Sequence, residues 1–325
     1  MKAMLVENEK LVLSNVEKPA PQSGEVLIEV RAIGINRADL LQRSGKYPSP
    51  KGWPAWPGLE VSGIVAAMGD EAKEKSGFAI GDKVCALLGG GGYAEYVCAP
   101  YGMVMPIPQG LSFEEAATLP EAYATSYVNL FWEGNLKSGQ TAFITAGASG
   151  LSSVAIPMAK AFGARVITTV SSEVKAKRIE NLGADIIINL SENSVSEILK
   201  DEEEKGRPVN VAMDCLGGKM LGDSISYMAD GGYWVLISTL AGIDTEIQLR
   251  PVLTKSLHLV GSMLRKRSSN EKTKLLAELT EKVWPIIERG EIKPMIYKVL
   301  RIEEANDALD ILVRGENIGK IVLVV

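Results

Sequence analysis

Apolar positions in residues 1–120 fall in short runs, such as 25–32, 58–67 and 83–88, with Gly-rich or Pro-rich stretches between them. This spacing predicts many short antiparallel strands and a barrel-like β domain. Pro48, Pro50, Pro54 and Pro57 mark a loop, because proline has no amide to donate to a ladder. Gly89–Gly92 reads as a loop before a strand over residues 93–97.

From about Ala122 strands and helices alternate. Residues 141–146, 165–170, 209–215 and 232–238 carry the β-branched, apolar signature of buried strands, and residues 151–162 and 172–182 that of helices. Ser172 suits an N-cap and Gly183 a stop. Strands separated by such helices imply βαβ units around a parallel sheet. Pro157 falls inside a helix, where its missing amide predicts a kink or a local adjustment. Residues 271–289 read as a further amphipathic helix, and residues 319–325 as a strand returning to the first domain. The charged run from Lys200 to Lys205 reads as a solvated helix face. The expected fold class is therefore α/β, with a doubly wound parallel sheet beside a β-barrel domain.

Composition narrows the function classes. A length of 325 residues fits two domains, and 46% apolar with 23% charged residues describes an ordinary globular chain. A formal charge of −5 argues against nucleic acid as a partner. No apolar run approaches the roughly 18 residues that cross a membrane. The first ten residues lack a signal-peptide core, so a cytoplasmic location is expected. Three scattered cysteines (Cys85, Cys98, Cys215) and one histidine (His258) supply neither a disulfide framework nor a clustered zinc site. His258, between Leu257 and Leu259, reads as a structural strand residue.

The predicted strand at residues 141–146 runs into Gly147-Ala148-Ser149-Gly150-Leu151-Ser152 and then a helix. Gly147 permits a tight turn, and small residues at Ser149 and Gly150 let the backbone approach a pyrophosphate at the helix N-terminus. Ser149 and Ser152 replace two glycines of the usual dinucleotide pattern, and Ser152 predicts a looser strand–helix contact. The next strand ends at Val170, Ser171 and Ser172 with Lys175 beyond, and no Asp or Glu stands at its end to take a ribose hydroxyl. A lysine among hydroxyls suits a 2′-phosphate, so NADPH is the expected cofactor, although Glu173 would repel that phosphate if it pointed inward.

Many segments, in order, resemble one family. They include Asn36-Arg37-Ala38-Asp39-Leu40-Leu41-Gln42-Arg43, with Gly45 and Tyr47 after it. Gly58-Leu59-Glu60-Val61-Ser62-Gly63, Gly81-Asp82-Lys83-Val84 and Gly90-Gly91-Gly92-Tyr93-Ala94-Glu95-Tyr96 come next. Leu119-Pro120-Glu121, Gly261-Ser262-Met263-Leu264-Arg265 and Ile318-Gly319-Lys320-Ile321-Val322-Leu323 complete the set. The chain resembles the zinc-free quinone oxidoreductases of the medium-chain dehydrogenase/reductase superfamily, in particular the p53-inducible branch.

The resemblance implies a GroES-like catalytic domain from residues 1–121 and 262–325 and a Rossmann domain from 122–261, with NADPH in the cleft. It implies a homodimer or homotetramer acting on a small-molecule quinone or enone. It places Thr125, Gly147, Ser149, Gly150, Leu151, Ser171, Ser172, Lys175, Leu264 and Asn317 near the cofactor. Zinc-dependent relatives carry Cys, His and Cys ligands where this chain has Asn36, Leu59 and Glu121, so no metal is expected. Relatives that bind NADPH often have Tyr where this chain has Leu190, which removes one phosphate contact.

Hydride transfer needs donor and acceptor carbons within about 3–3.5 Å in a dry site. Without a metal, hydrogen-bond donors must stabilise charge on the acceptor oxygen. Asn36 and Tyr47 are the candidates. Alternatively, Asn36 ties down its own loop and Tyr47 packs on Trp53 or Trp56. A 2-enoyl thioester reductase and a non-catalytic NADPH-binding protein are the competing readings.

Overall fold

The computed structural model describes residues 1–325. The chain divides into two compact units, Met1–Ala124 with Arg265–Val325, and Thr125–Leu264.

The second unit is built on six parallel strands in the spatial order Ile186–Asn189, Arg165–Val170, Thr141–Ile144, Val209–Asp214, Met228–Leu236 and His258–Gly261. Numbered along this unit, the order is 3-2-1-4-5-6, with its reversal beside Thr141–Ile144. Each central strand is apolar on both faces because helices cover both, and Phe143, Ile167, Ile188, Ala212 and Trp234 join one buried cluster. The fifth strand starts at Met228 and ends at Leu236, earlier than the sequence pattern suggested. Helix Ser152–Ala161 continues through Pro157. Helix Glu173–Ile179 opens on Ser172, whose hydroxyl accepts from the Lys175 amide at 3.4 Å, and the turn after it stops at Gly183 with φ 85°.

The charged run is not wholly a solvated face. Glu202, on helix Val195–Glu204, is buried, with Arg165 at 2.8 Å and Arg207 at 2.9 Å. Two guanidinium groups compensate its desolvation and hold its carboxyl down at about 2. Runs of charge hide such cases because composition carries no information about which side of the helix meets an arginine.

The first unit holds a seven-stranded sheet and the hairpin Lys2–Glu7/Lys10–Asn15. Strand Glu25–Gly34 is the hub of the sheet. It pairs antiparallel with Glu60–Met68, with Tyr96–Pro100 and with Lys320–Val324. The strand expected at 93–97 thus begins at Tyr96. Strand Ile296–Arg301 lies parallel to Lys320–Val324, joined through helix Ala305–Arg314. The long helix expected over 271–289 breaks in two, Ser269–Lys282 and Trp284–Glu288, because Pro285 cannot extend the first.

Candidate functional site

In the second unit Gly147, Ser149, Gly150 and Leu151 follow the first strand, and Ser171, Ser172 and Lys175 follow the second. The positive φ of the turn belongs to Ala146 (54°), not to Gly147. Gly147 is required for a different reason: a Cβ there would stand 2.5 Å from Thr168 Oγ1, so only glycine lets the turn press against the neighbouring strand. Its amide donates to Thr169 O at 2.7 Å.

Ser149 Oγ accepts from the Ser152 amide at 3.1 Å, and Gly150 O accepts from Ser153 Oγ at 3.1 Å. Leu151 N-caps the helix and receives the amides of Val154 and Ala155. The expectation of a looser contact at Ser152 is corrected. Its buried hydroxyl donates to Thr145 O at 2.7 Å and ties helix to strand where a glycine would only permit approach.

Ser171 is exposed, Ser172 and Lys175 are partly buried, and Glu173 turns towards Lys177 at 3.5 Å. On the adjoining strand end, Asn189 is buried and its Nδ2 has no partner, while its Oδ1 accepts from Ser191. Leu190 is exposed. Thr125 O accepts from Asn129 Nδ2 at 2.7 Å, and Leu264 is buried.

Asp214, missed in the sequence, organises the fourth strand end. Its carboxylate accepts from the amides of Leu216 and Gly217, from Thr145 Oγ1 and from Trp234 Nε1. Four donors satisfy a buried charge, which marks it as a structural pin.

The first unit brings together Asn36, Glu60 and Lys320. Asn36 opens helix Arg37–Arg43, and its amide donates to Asp39 Oδ2 at 2.8 Å. Its Nδ2 donates to Glu60 Oε1 at 2.9 Å and Gly34 O at 3.3 Å, and its Oδ1 accepts from Lys320 Nζ at 2.8 Å. Both side-chain hydrogens are therefore committed within the protein, and Asn36 ties down its loop. Lys320 Nζ also reaches Ile35 O at 2.8 Å and Glu60 Oε1 at 2.6 Å. Glu60 Oε2 accepts the Glu121 amide at 2.9 Å. Burial, and then Glu60, push the Glu121 carboxyl up to about 7. Burial likewise raises Asp39 to about 6, although Tyr93 OH donates to it at 2.9 Å. No group of three His, Cys, Asp or Glu side chains is arranged to hold a metal ion.

The ring contact found at Tyr47 is with a cation. The Arg265 guanidinium lies 3.6 Å above its ring centroid. Trp53 and Trp56 pack against the core, and Trp56 Nε1 donates to Gly91 O at 2.9 Å. Burial raises the Tyr47 phenol, and Arg265 opposes that rise. Asn317 donates to Gly319 O at 2.9 Å, within the turn that leads to Lys320. Lys320 was detectable as one cation in an otherwise apolar strand, Lys320–Val324.

Comparison with known proteins agrees with this architecture. Residues 22–109 match the alcohol dehydrogenase GroES-like domain, and residues 150–281 match the zinc-binding dehydrogenase family. A quinone oxidoreductase-like protein 2 homolog of Nematostella vectensis is 32% identical over 305 residues, covering 93% of this chain and 82% of its own. The mouse quinone oxidoreductase is 30% identical over 313 residues, covering 95% and 92%. A mycobacterial protein solved in complex with NADPH has a TM-score of 0.86 at 27% identity, with both chains fully covered. The six-stranded sheet is thus a Rossmann sheet, the other unit carries a GroES-like fold, and the chain belongs to the medium-chain dehydrogenase/reductase superfamily, with quinone oxidoreductases among its relatives.

Proposed function

We propose that this chain is an NADPH-dependent reductase that passes hydride to a quinone or another electron-poor enone without a metal. The observation that carries the reading is the turn at residues 146–151, set where the parallel strand order reverses and opening onto a helix N-terminus. The residues fit the cofactor. Ser171, Ser172 and Lys175 follow a strand end without a carboxylate, and Asn189 Nδ2 is a buried donor in want of an acceptor. Gly147, Ser149, Gly150 and Leu151 would line the pyrophosphate, with Thr125, Leu264 and Asn317 completing the set. NADPH supplies the hydride when bound. Relatives named quinone oxidoreductases support the acceptor class.

The GroES-like unit is read as the catalytic one, with Tyr47 as the donor to the acceptor oxygen and Asn36 as part of the frame behind it. The donor set does not suit zinc. Asn36 offers an amide, Leu59 offers nothing, burial pushes the Glu121 carboxyl up to about 7, and the Lys320 ammonium already occupies the neighbouring carboxylate of Glu60. The edge strand His258–Gly261 has a neighbour on one side only, and Leu259, Leu249 and Leu253 are exposed in the same unit, which supports a homodimer or homotetramer. No helix is long and apolar enough to cross a membrane.

NADPH consumption measured with quinones, enones and enoyl thioesters tests the reading. Turnover of quinones or enones is expected. Turnover of enoyl thioesters alone would replace the proposed acceptor, and tight NADPH binding without any turnover would overturn the enzymatic reading.

A further inference from the structure

Arg265 stands 218 residues after Tyr47, yet its guanidinium is fastened to the Tyr47 loop. Nη1 donates to Tyr47 O at 3.1 Å and Pro48 O at 3.0 Å, and Nη2 donates to Gly89 O at 2.9 Å. The planar group covers the Tyr47 ring at 3.6 Å. Its Nε is buried without a partner. Lys272 Nζ donates to Arg265 O at 3.0 Å and anchors the backbone from the other side. A guanidinium held by neutral carbonyls and one aromatic face acts first on the ring beneath it, and Glu121 and Asp39 reach it through space.

We propose that Arg265 is the positioning residue for Tyr47, fixing its loop and strengthening its phenol as a donor to the acceptor oxygen as negative charge develops there. The inference rests on the role of Tyr47 in the proposed reduction. A cation over the ring favours the phenolate, and so favours hydrogen-bond donation from the phenol. The charged groups that bear on this phenol are Arg265 and the Glu121 carboxylate, which opposes it. Glu121 is in turn influenced by Glu60, Lys320, Asp39 and Lys272. Lysine could not replace Arg265 fully, because three carbonyls and a ring face need a planar fork.

The test combines Tyr47 titration with a double-mutant cycle. Tyrosine-labelled protein, with Tyr47→Phe assigning the signal, is titrated by NMR without cofactor. Arg265→Met should raise the Tyr47 phenol, whereas Arg265→Lys should leave it closer to wild type. In single turnover with NADPH and a quinone, Arg265→Met should slow hydride transfer about tenfold, the scale of a desolvated cation–π contact. In the Tyr47→Phe background the same change should cost little. An unchanged phenol titration in Arg265→Met, or equal rate losses in both backgrounds, would overturn the proposal. If Tyr47→Phe itself leaves the rate unaltered, the role given to Tyr47 fails, while the titration still reports whether Arg265 acts on the ring.

Discussion

The ammonium of Lys320 sits 2.6 Å from Oε1 of Glu60, and the two side chains are 4% and 0% exposed. Every polar atom of this pair has a partner, so the pair is stable only as a whole. Lys320→Met should destabilise the folded chain by about 3–5 kcal/mol, since it leaves a buried carboxylate uncompensated. Lys320→Met with Glu60→Gln should recover part of that loss. Urea unfolding of the three variants measures both effects, and a single-variant cost below about 1 kcal/mol would contradict this account.

Asp39 and Glu121 set a pH dependence of stability. Their carboxyls rise from 3.8 to about 6 and from 4.5 to about 7, chiefly through burial. Both bind a proton more tightly in the folded than in the unfolded chain. The stability they contribute is complete below their unfolded values and is lost as pH rises through about 6 and about 7. Glu121→Gln should therefore flatten the decline in stability around neutrality, an effect of about 1–2 kcal/mol, in unfolding free energies measured across that range. The same slope in wild type and variant would show that Glu121 keeps an ordinary carboxyl.

Cofactor choice is predicted to turn on Lys175. Lys175→Glu should weaken NADPH binding about tenfold or more and leave NADH binding nearly unchanged, because only the former places a phosphate near the replaced cation. Fluorescence titration with both cofactors decides this, and equal losses would place the 2′-phosphate elsewhere.

Tyr47 and Asn36 should separate when substituted. Tyr47→Phe is expected to lower the hydride-transfer rate by roughly a hundredfold with little effect on unfolding, as for loss of a single oxyanion donor. Asn36→Ala should lower stability, since Glu60, Gly34, Ile35 and Lys320 all meet around that amide. Stopped-flow kinetics and thermal unfolding of the two variants report the split.

The sequence was most legible where the signal is local. The strand Arg165–Val170, the N-cap at Ser172 and the stop at Gly183 follow from residue types a few positions apart. Long-range relationships were not legible. Nothing near Tyr47 points to Arg265, and nothing near Glu202 points to Arg165 and Arg207. The dinucleotide turn was visible, but the division of labour within it was not. Ala146 bears the left-handed backbone and Gly147 the close approach, a distinction that depends on where Thr168 lies. Asn36 looked like a donor by its position in a motif, and its committed hydrogens became visible only with Glu60 and Gly34 beside it.

The pairing of Glu60 with Lys320 also dictates an order of events during synthesis. The two residues are 260 positions apart, and the whole Rossmann unit is made between them. Unit Thr125–Leu264 can assemble from contiguous chain as it emerges, whereas the hub strand Glu25–Gly34 waits for Lys320–Val324 to arrive. Until then Glu60 has no cation to bury against, so its surroundings must stay open to water. Maturation of the GroES-like unit is thereby deferred until Lys320–Val324 has been made, and a nascent chain halted before Lys320 should remain protease-sensitive there while its Rossmann unit is already protected.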